Sequence, residues 1–141
     1  MVEFTQQSLD FSIRRIIEQM KVDGWKPDII FGIWRGGAVP AIMLSHALGV
    51  TCAPLSDQAV LDALYDNLNI LIVDEIIDSG HTMKKLLDFY KDIHYHTPQN
   101  KIRTATLVLN TAQEFLPDYH FHTIDRTRDK EWVHFPWETE L

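Results

Sequence analysis

The chain has 141 residues, 45% of them hydrophobic, and a net charge of −7. That length supports one domain with a real core, and the acidic balance excludes a general nucleic-acid or membrane-surface binder, which would carry a basic excess. One cysteine, Cys52, excludes an internal disulfide and fits a reducing cytoplasm. No stretch is long and apolar enough to span a bilayer, and "MVEFTQQSLD" has neither the basic start nor the apolar centre of a signal peptide.

Residues 5–20 predict a helix: Leu9, Ile13, Ile16, Ile17 and Met20 recur at helical spacing. Thr5 or Ser8 can cap it, and Gly24 lies just past its end. "DIIFGIW", a short apolar run after Pro27 and bounded by glycine, reads as a buried strand. "RGG" follows, then "AVPAIMLSHALGV", a helix ending at Gly49. "TCAPL" reads as a second short strand, and "SDQAVLDALYDN" has a Ser/Asp start and helix-compatible spacing. "ILIVD" is the clearest strand, closing on Asp74. "TMKKLLDFYKDI" is a helix with Met83, Leu86, Leu87 and Tyr90 on its apolar face, and "TATLVLN" is a strand. "YHFHTI" and "EWVHFPWE" in the tail read as strand or extended chain. His94 with His96, and His120 with His122, would pair on one face of a strand. Zinc sites use that spacing, but no cysteine or third ligand accompanies them. Cys52 reads as a small core residue, and Trp25, Phe115 and Phe135 as core or interface.

Strands alternating with helices predict an α/β fold, a mostly parallel sheet covered by helices on both faces. Ligands of such sheets sit beyond the carboxyl ends of the strands. Two loops fall there, residues 34–37 and 74–82. In the second, Asp78-Ser79-Gly80-His81-Thr82 joins a strand to a helix. The free N–H groups of the helix start, with the Ser79 and Thr82 hydroxyls, make a phosphate cradle. Gly80 lets the turn close and a ligand approach. Asp78 or Ser79 as a plain helix N-cap is the competing reading. Asp74 and Glu75 weigh against it: they end a buried strand, point to different sides, and need partners or a function there. Carboxylates accept from vicinal sugar hydroxyls, so cradle and acids together suggest a sugar phosphate. Arg35, with Gly36 and Gly37, suits a second anion. A molecule with phosphates at both ends fits both loops. Neither a P-loop nor a G-x-G-x-x-G fingerprint is present.

"ILIVDEIIDSGHTM" resembles the 5-phosphoribosyl-1-diphosphate (PRPP) motif of type I phosphoribosyltransferases. "IIDSG-x-T" is most similar to the 6-oxopurine branch, with His81 at the variable position. "GIWRGGAVPAIMLSHALG" resembles the diphosphate loop and helix of that branch. "WVHFPWE" resembles the closing segment of its xanthine–guanine members. The resemblance implies a core of about residues 1–110, a small base-binding hood of about 111–141, and one domain over 1–141. It implies a transferase moving the 5-phosphoribosyl group of PRPP to a 6-oxopurine (guanine, xanthine or hypoxanthine), with release of diphosphate. Asp74 and Glu75 would hold its Mg²⁺, and Glu138, as a weaker carry-over, would help to position a second Mg²⁺. Asp74 and Glu75 would hold the ribose hydroxyls; Ser79, Gly80, His81 and Thr82 the 5′-phosphate; Arg35, Gly36 and Gly37 the diphosphate, with a strained or cis peptide at Trp34–Arg35. Asp78 would act as general acid or base at purine N7. Trp132 would lie against the ring, and nearby backbone, including Val133, would read its edge. A cytoplasmic homodimer or homotetramer is implied, with no nucleic-acid or membrane partner.

Three features depart from that branch. Asn110 stands where a base-binding lysine that donates to the 6-oxo group is usual; as the base-binding residue here, its amide can donate too, with less electrostatic strength. Residues 55–68 are shorter than the mobile lid of active members and lack its Ser/Thr-Tyr pair; Tyr65 is the one substitute in the segment, and a neighbouring subunit could supply the loop instead. No Lys or Arg occurs from Gly36 through Met83. Arg126, Arg128 and Lys130 could bring cations, or form a solvated charged loop. The short lid and Asn110 leave a non-catalytic PRPP or nucleotide sensor as the alternative function.

Overall fold

The computed structural model describes residues 2–93 and 101–138. Its elements are β1 (Val2–Glu3), α1 (Gln6–Asp23), β2 (Ile29–Gly32), α2 (Ala38–Leu48), β3 (Thr51–Pro54), α3 (Asp57–Tyr65), β4 (Ile70–Ile77), α4 (His81–Ile93), β5 (Ile102–Asn110), β6 (Tyr119–Ile124) and β7 (Val133–His134). Five strands form one sheet in the order β3-β2-β4-β5-β6, and each neighbouring pair is parallel.

The apolar run of β4 is explained by alternation. Ile70 and Ile72 point to one face, where Val60 and Leu64 of α3 and Met83 and Tyr90 of α4 cover them. Leu71 and Val73 point to the other, against Leu9, Ile13, Ile16 and Met20 of α1 and Ala41 and Leu44 of α2. All four strand residues are fully buried. Capping follows the sequence reading: Thr5 Oγ1 accepts from Ser8 N at 3.0 Å, and Gly24 closes α1 at φ 65°. Ser56 Oγ accepts from Ala59 N at 3.2 Å and starts α3. Trp25 and Phe135 are core residues, while Cys52 and Phe115 pack on the core partly buried.

Three differences from the sequence expectation matter. β4 does not end at Asp74. It continues to Ile77 because β5 keeps pairing with it, Asp74 opposite Thr106 and Ile77 opposite Leu109. On the other side β2 stops at Gly32, opposite Val73, so the acids are flanked there by a loop instead of a strand. Second, the segment expected as the hood of the one domain contributes β6 to the main sheet, while β7 pairs with β1 in a two-stranded sheet. Third, β1 was not foreseen, since two residues carry no periodicity. His94 and His96 lie outside the described residues.

Candidate active site

The loop after β2 is stitched to β4: Ile33 N donates to Val73 O at 2.9 Å, and Gly37 N to Ile33 O at 2.8 Å. It holds a cis peptide at Trp34–Arg35, as the motif implied. Trp34 is half-exposed, and Arg35 O accepts from Ala38 N at 3.0 Å as α2 begins. Gly36 meets the neighbouring strand here. A methyl on Gly36 would fall inside the Glu75 carboxylate, so that carboxylate rests directly against the glycine loop.

Asp74 and Glu75 are both partly buried. Glu75 N donates to Asp74 Oδ1 at 2.9 Å. Burial, with the Glu75 carboxylate beside it, pushes the Asp74 carboxyl up to about 9. Glu75 Oε2 is buried without a hydrogen-bond partner among the described residues. An orphaned buried acceptor is costly unless something else meets it. Two adjacent carboxylates that leave such an oxygen open suit a hard divalent cation, which takes one or two carboxylates plus substrate oxygens. Glu138, expected at a second Mg²⁺, lies by Trp132, whose Nε1 donates to Glu138 Oε2 at 3.4 Å, and no three His, Cys, Asp or Glu side chains gather among the described residues. His120 and His122 sit on β6 with their imidazoles pushed below the usual value by burial, and are packed residues.

Beyond Ile77 the chain turns into α4. A cavity of about 130 Å³ lies there, lined by Asp74, Asp78, Ser79, Gly80 and Thr82 among others. That volume suits a phosphate rather than a whole nucleotide. Ser79 Oγ accepts from His81 N at 3.2 Å and shapes the turn. Gly80 has φ 80°, which favours glycine, and a side chain there would run into Gln113 and Phe115. Gln113 holds its own loop, donating to Asn110 O at 3.1 Å and Phe115 O at 2.6 Å.

Asn110 ends β5 and is buried. Its amide is engaged within the chain: Nδ2 donates to Asp78 O at 2.9 Å, and Oδ1 accepts from Ala112 N at 3.0 Å and Arg126 N at 3.1 Å. The side chain of Asp78 meets Arg126, with Nε 3.1 Å from Oδ1. The sequence offered Arg126 as a cation for diphosphate or as part of a solvated charged loop, and not as a partner of Asp78. Its pairing with Asp78 spans 48 residues and leaves no local pattern. Trp132 is 68% exposed. Val133 buries its side chain, but the carbonyls of Trp132 and His134 accept from Val2 N and Phe4 N of the β1 segment. By strand alternation the backbone of Val133 faces the opposite way.

Residues 55–68 pack down rather than stand off. Val60, Ala63 and Leu64 are buried, and Tyr90 Oη donates to Asp57 Oδ1 at 3.0 Å. Tyr65, the substitute considered for a lid, is 85% exposed.

A parallel sheet with a glycine loop, an acid pair and a phosphate-sized cavity at one edge defines a type I phosphoribosyltransferase-like α/β protein. The model of the phosphoribosyl transferase domain matches residues 4–141, and the chain belongs to that family. It is 31% identical to a xanthine-guanine phosphoribosyltransferase of Vibrio vulnificus, covering 97% of this chain and 88% of the relative. A protein of the same name from Cereibacter sphaeroides is 25% identical over 86% of this chain and 78% of its own length. In fold, the chain is similar to a purine phosphoribosyltransferase from Pyrococcus horikoshii (TM-score 0.71, 24% identity, 99% and 95% covered). It is also similar to a Helicobacter pylori xanthine-guanine-hypoxanthine phosphoribosyltransferase (TM-score 0.72, 21% identity, 97% and 92% covered). No helix among the described residues is long and apolar enough to cross a membrane.

Proposed function

We propose that the chain is a Mg²⁺-dependent phosphoribosyltransferase that moves the 5-phosphoribosyl group of PRPP onto a 6-oxopurine (guanine, xanthine or hypoxanthine), releasing diphosphate and forming a nucleoside monophosphate. The junction at Gly36 carries this reading: the acid pair of β4 lies against the glycine loop, beside the 78–82 turn. Asp74 and Glu75 receive the ribose hydroxyls. Ser79, Gly80, His81 and Thr82 cup the 5′-phosphate. Trp34, Arg35, Gly36 and Gly37 hold the diphosphate. Asp74 and Glu75 would hold Mg²⁺, which offsets the charge of the departing diphosphate when bound.

Cleavage at ribose C1 leaves positive charge on the sugar ring, as in glycoside chemistry. Arg35 stabilises the leaving group. Asp78 exchanges a proton with N7 of the purine while N9 attacks. The exposed Trp132 ring supports the base, and the Val133 backbone meets its edge. Asn110 serves the base side by holding the Asp78 carbonyl. Alignment of both substrates supplies much of the rate. The reading extends to one domain over 1–141, with a hood from about 111, in a cytoplasmic homodimer or homotetramer. Light scattering tests the assembly.

A non-catalytic PRPP or nucleotide sensor is second. The packed-down α3 speaks for it; the enzyme names of the relatives, Asp78 and Trp132 speak against it. Protein mixed with PRPP, Mg²⁺ and each of guanine, xanthine, hypoxanthine, adenine, uracil and orotate decides. Diphosphate release with a 6-oxopurine is expected. Tight PRPP binding with no release for any base would overturn the enzyme reading.

A further inference from the structure

The Arg126 guanidinium lies along the Asp78 carboxylate, with Nε 3.1 Å from Oδ1 and Nη2 3.3 Å from Oδ2. Nη1 donates to the carbonyls of Glu131, at 2.5 Å, and Asp129, at 3.4 Å. A guanidinium has five N–H donors in a planar fork. These four bonds leave one Nη2 hydrogen without a described partner. The side chain of Arg126 is 20% exposed and that of Asp78 50% exposed, so the cation is the more enclosed of the two.

The main chain at Arg126 is also fixed. Its N–H donates to Asn110 Oδ1. The Asp125 carboxylate accepts from Thr127 N at 2.9 Å, and the Asp125 carbonyl from Asp129 N at 2.8 Å, closing the turn. Arg126 thus bridges the end of β4 and the residue preceding Trp132. Asn110, by contrast, is 6% exposed and has both ends of its amide occupied by Asp78, Ala112 and Arg126.

We propose that Arg126 is the specificity-determining cation of the base pocket and donates to the exocyclic oxygen at C6 of the purine. This rests on the purine phosphoribosyltransferase reading. Asp78 and Arg126 set an acceptor beside a donor. A 6-oxopurine with its proton on N7 presents a donor beside an acceptor, N7–H and O6, and fits that pair. A 6-aminopurine turns an amino donor toward the guanidinium and leaves donors facing each other unpaired.

The test is calorimetric binding of IMP, AMP and PRPP to wild type, Arg126→Met and Arg126→Lys, beside turnover assays with hypoxanthine and adenine. IMP and AMP share N7 and differ at the C6–N1 edge, so their ratio isolates what Arg126 reads. Wild type should prefer IMP. Arg126→Met should weaken IMP roughly 10- to 100-fold, the worth of a charge-assisted hydrogen bond. AMP and PRPP should be nearly unchanged in the same variant, which also shows that it is folded. Arg126→Lys keeps the charge without the fork, so a reduced IMP preference should remain. If Arg126→Met does not fold, the lysine variant decides on the same ratio. An IMP-to-AMP ratio unchanged by substitution, or no preference in wild type, overturns the proposal. A wild type that prefers IMP but transfers to no base would overturn the enzyme reading instead, and the Arg126 variants would still decide the binding role.

Discussion

Alanine at Gly37 and alanine at Gly36 should have opposite consequences, although the two glycines are adjacent. A methyl on Gly37 would overlap the Val73 carbonyl and sit 2.8 Å from Ile33 O and 2.9 Å from Ile33 N. All three obstacles are backbone. Making room separates the β2 loop from β4 and strains the Ile33–Val73 and Gly37–Ile33 hydrogen bonds. Overpacking costs about 1–3 kcal/mol and each of the two hydrogen bonds about 0.5–1.5, so Gly37→Ala should lose roughly 2–6 kcal/mol. At about 3 °C per kcal/mol for a chain of this size, Tm should fall by roughly 6–18 °C. At Gly36 the obstacle is the end of one side chain, Glu75. Turning it aside costs about 0.5–1.5 kcal/mol, a Tm loss of at most about 4 °C. The displaced carboxylate, however, can no longer serve the ribose, and PRPP affinity should drop about tenfold. Thermal unfolding and PRPP calorimetry on both variants check this. Equal Tm losses, or full PRPP affinity in Gly36→Ala, would refute the reasoning.

Asp78→Asn should abolish turnover while PRPP binding persists; unchanged turnover would remove Asp78 from its assigned role. Leu71→Ala, at a fully buried position in the central strand, should cost about 2–5 kcal/mol in denaturant unfolding, and a loss under 1 would contradict its packing. His134 is held above its usual value of 6.5, first by its hydrogen bond to Glu3 and then by the charges of Glu3 and Glu138. The protonated form is favoured by folding, so its contribution is full below pH 6.5 and fades as pH rises through the elevated folded value. Glu3→Gln should flatten that part of the Tm profile between pH 6 and 8; an unaltered profile would show that the pair does not matter.

Much of the fold was legible because burial on two faces leaves a strong imprint. Ile70, Leu71, Ile72 and Val73 form a run that few other environments permit, and Thr5, Gly24 and Ser56 mark helix ends by local bonding. The acid pair and the 78–82 turn were legible for the same reason: their spacing is local. The end of β4 was misjudged because a charged residue usually stops a buried strand, whereas here β5 continues to pair past Asp74. β1 is two residues long and exists only because β7 returns to meet it. The contact of Arg126 with Asp78 depends on where β6 and the following turn lie, and nothing within a short window announces it.

Asn110 has a wider consequence than its size suggests. Through one carboxamide it ties its own loop at Ala112 to the residue after β4, Asp78, and to the turn at Arg126. On the proposed function, the grip on the sugar phosphate would be built on β4 and α4, while the residues facing the base would come from the tail. A single rivet therefore registers two separately built halves. Base choice can drift through changes in the tail without loosening the sugar-phosphate half, provided that the rivet stays.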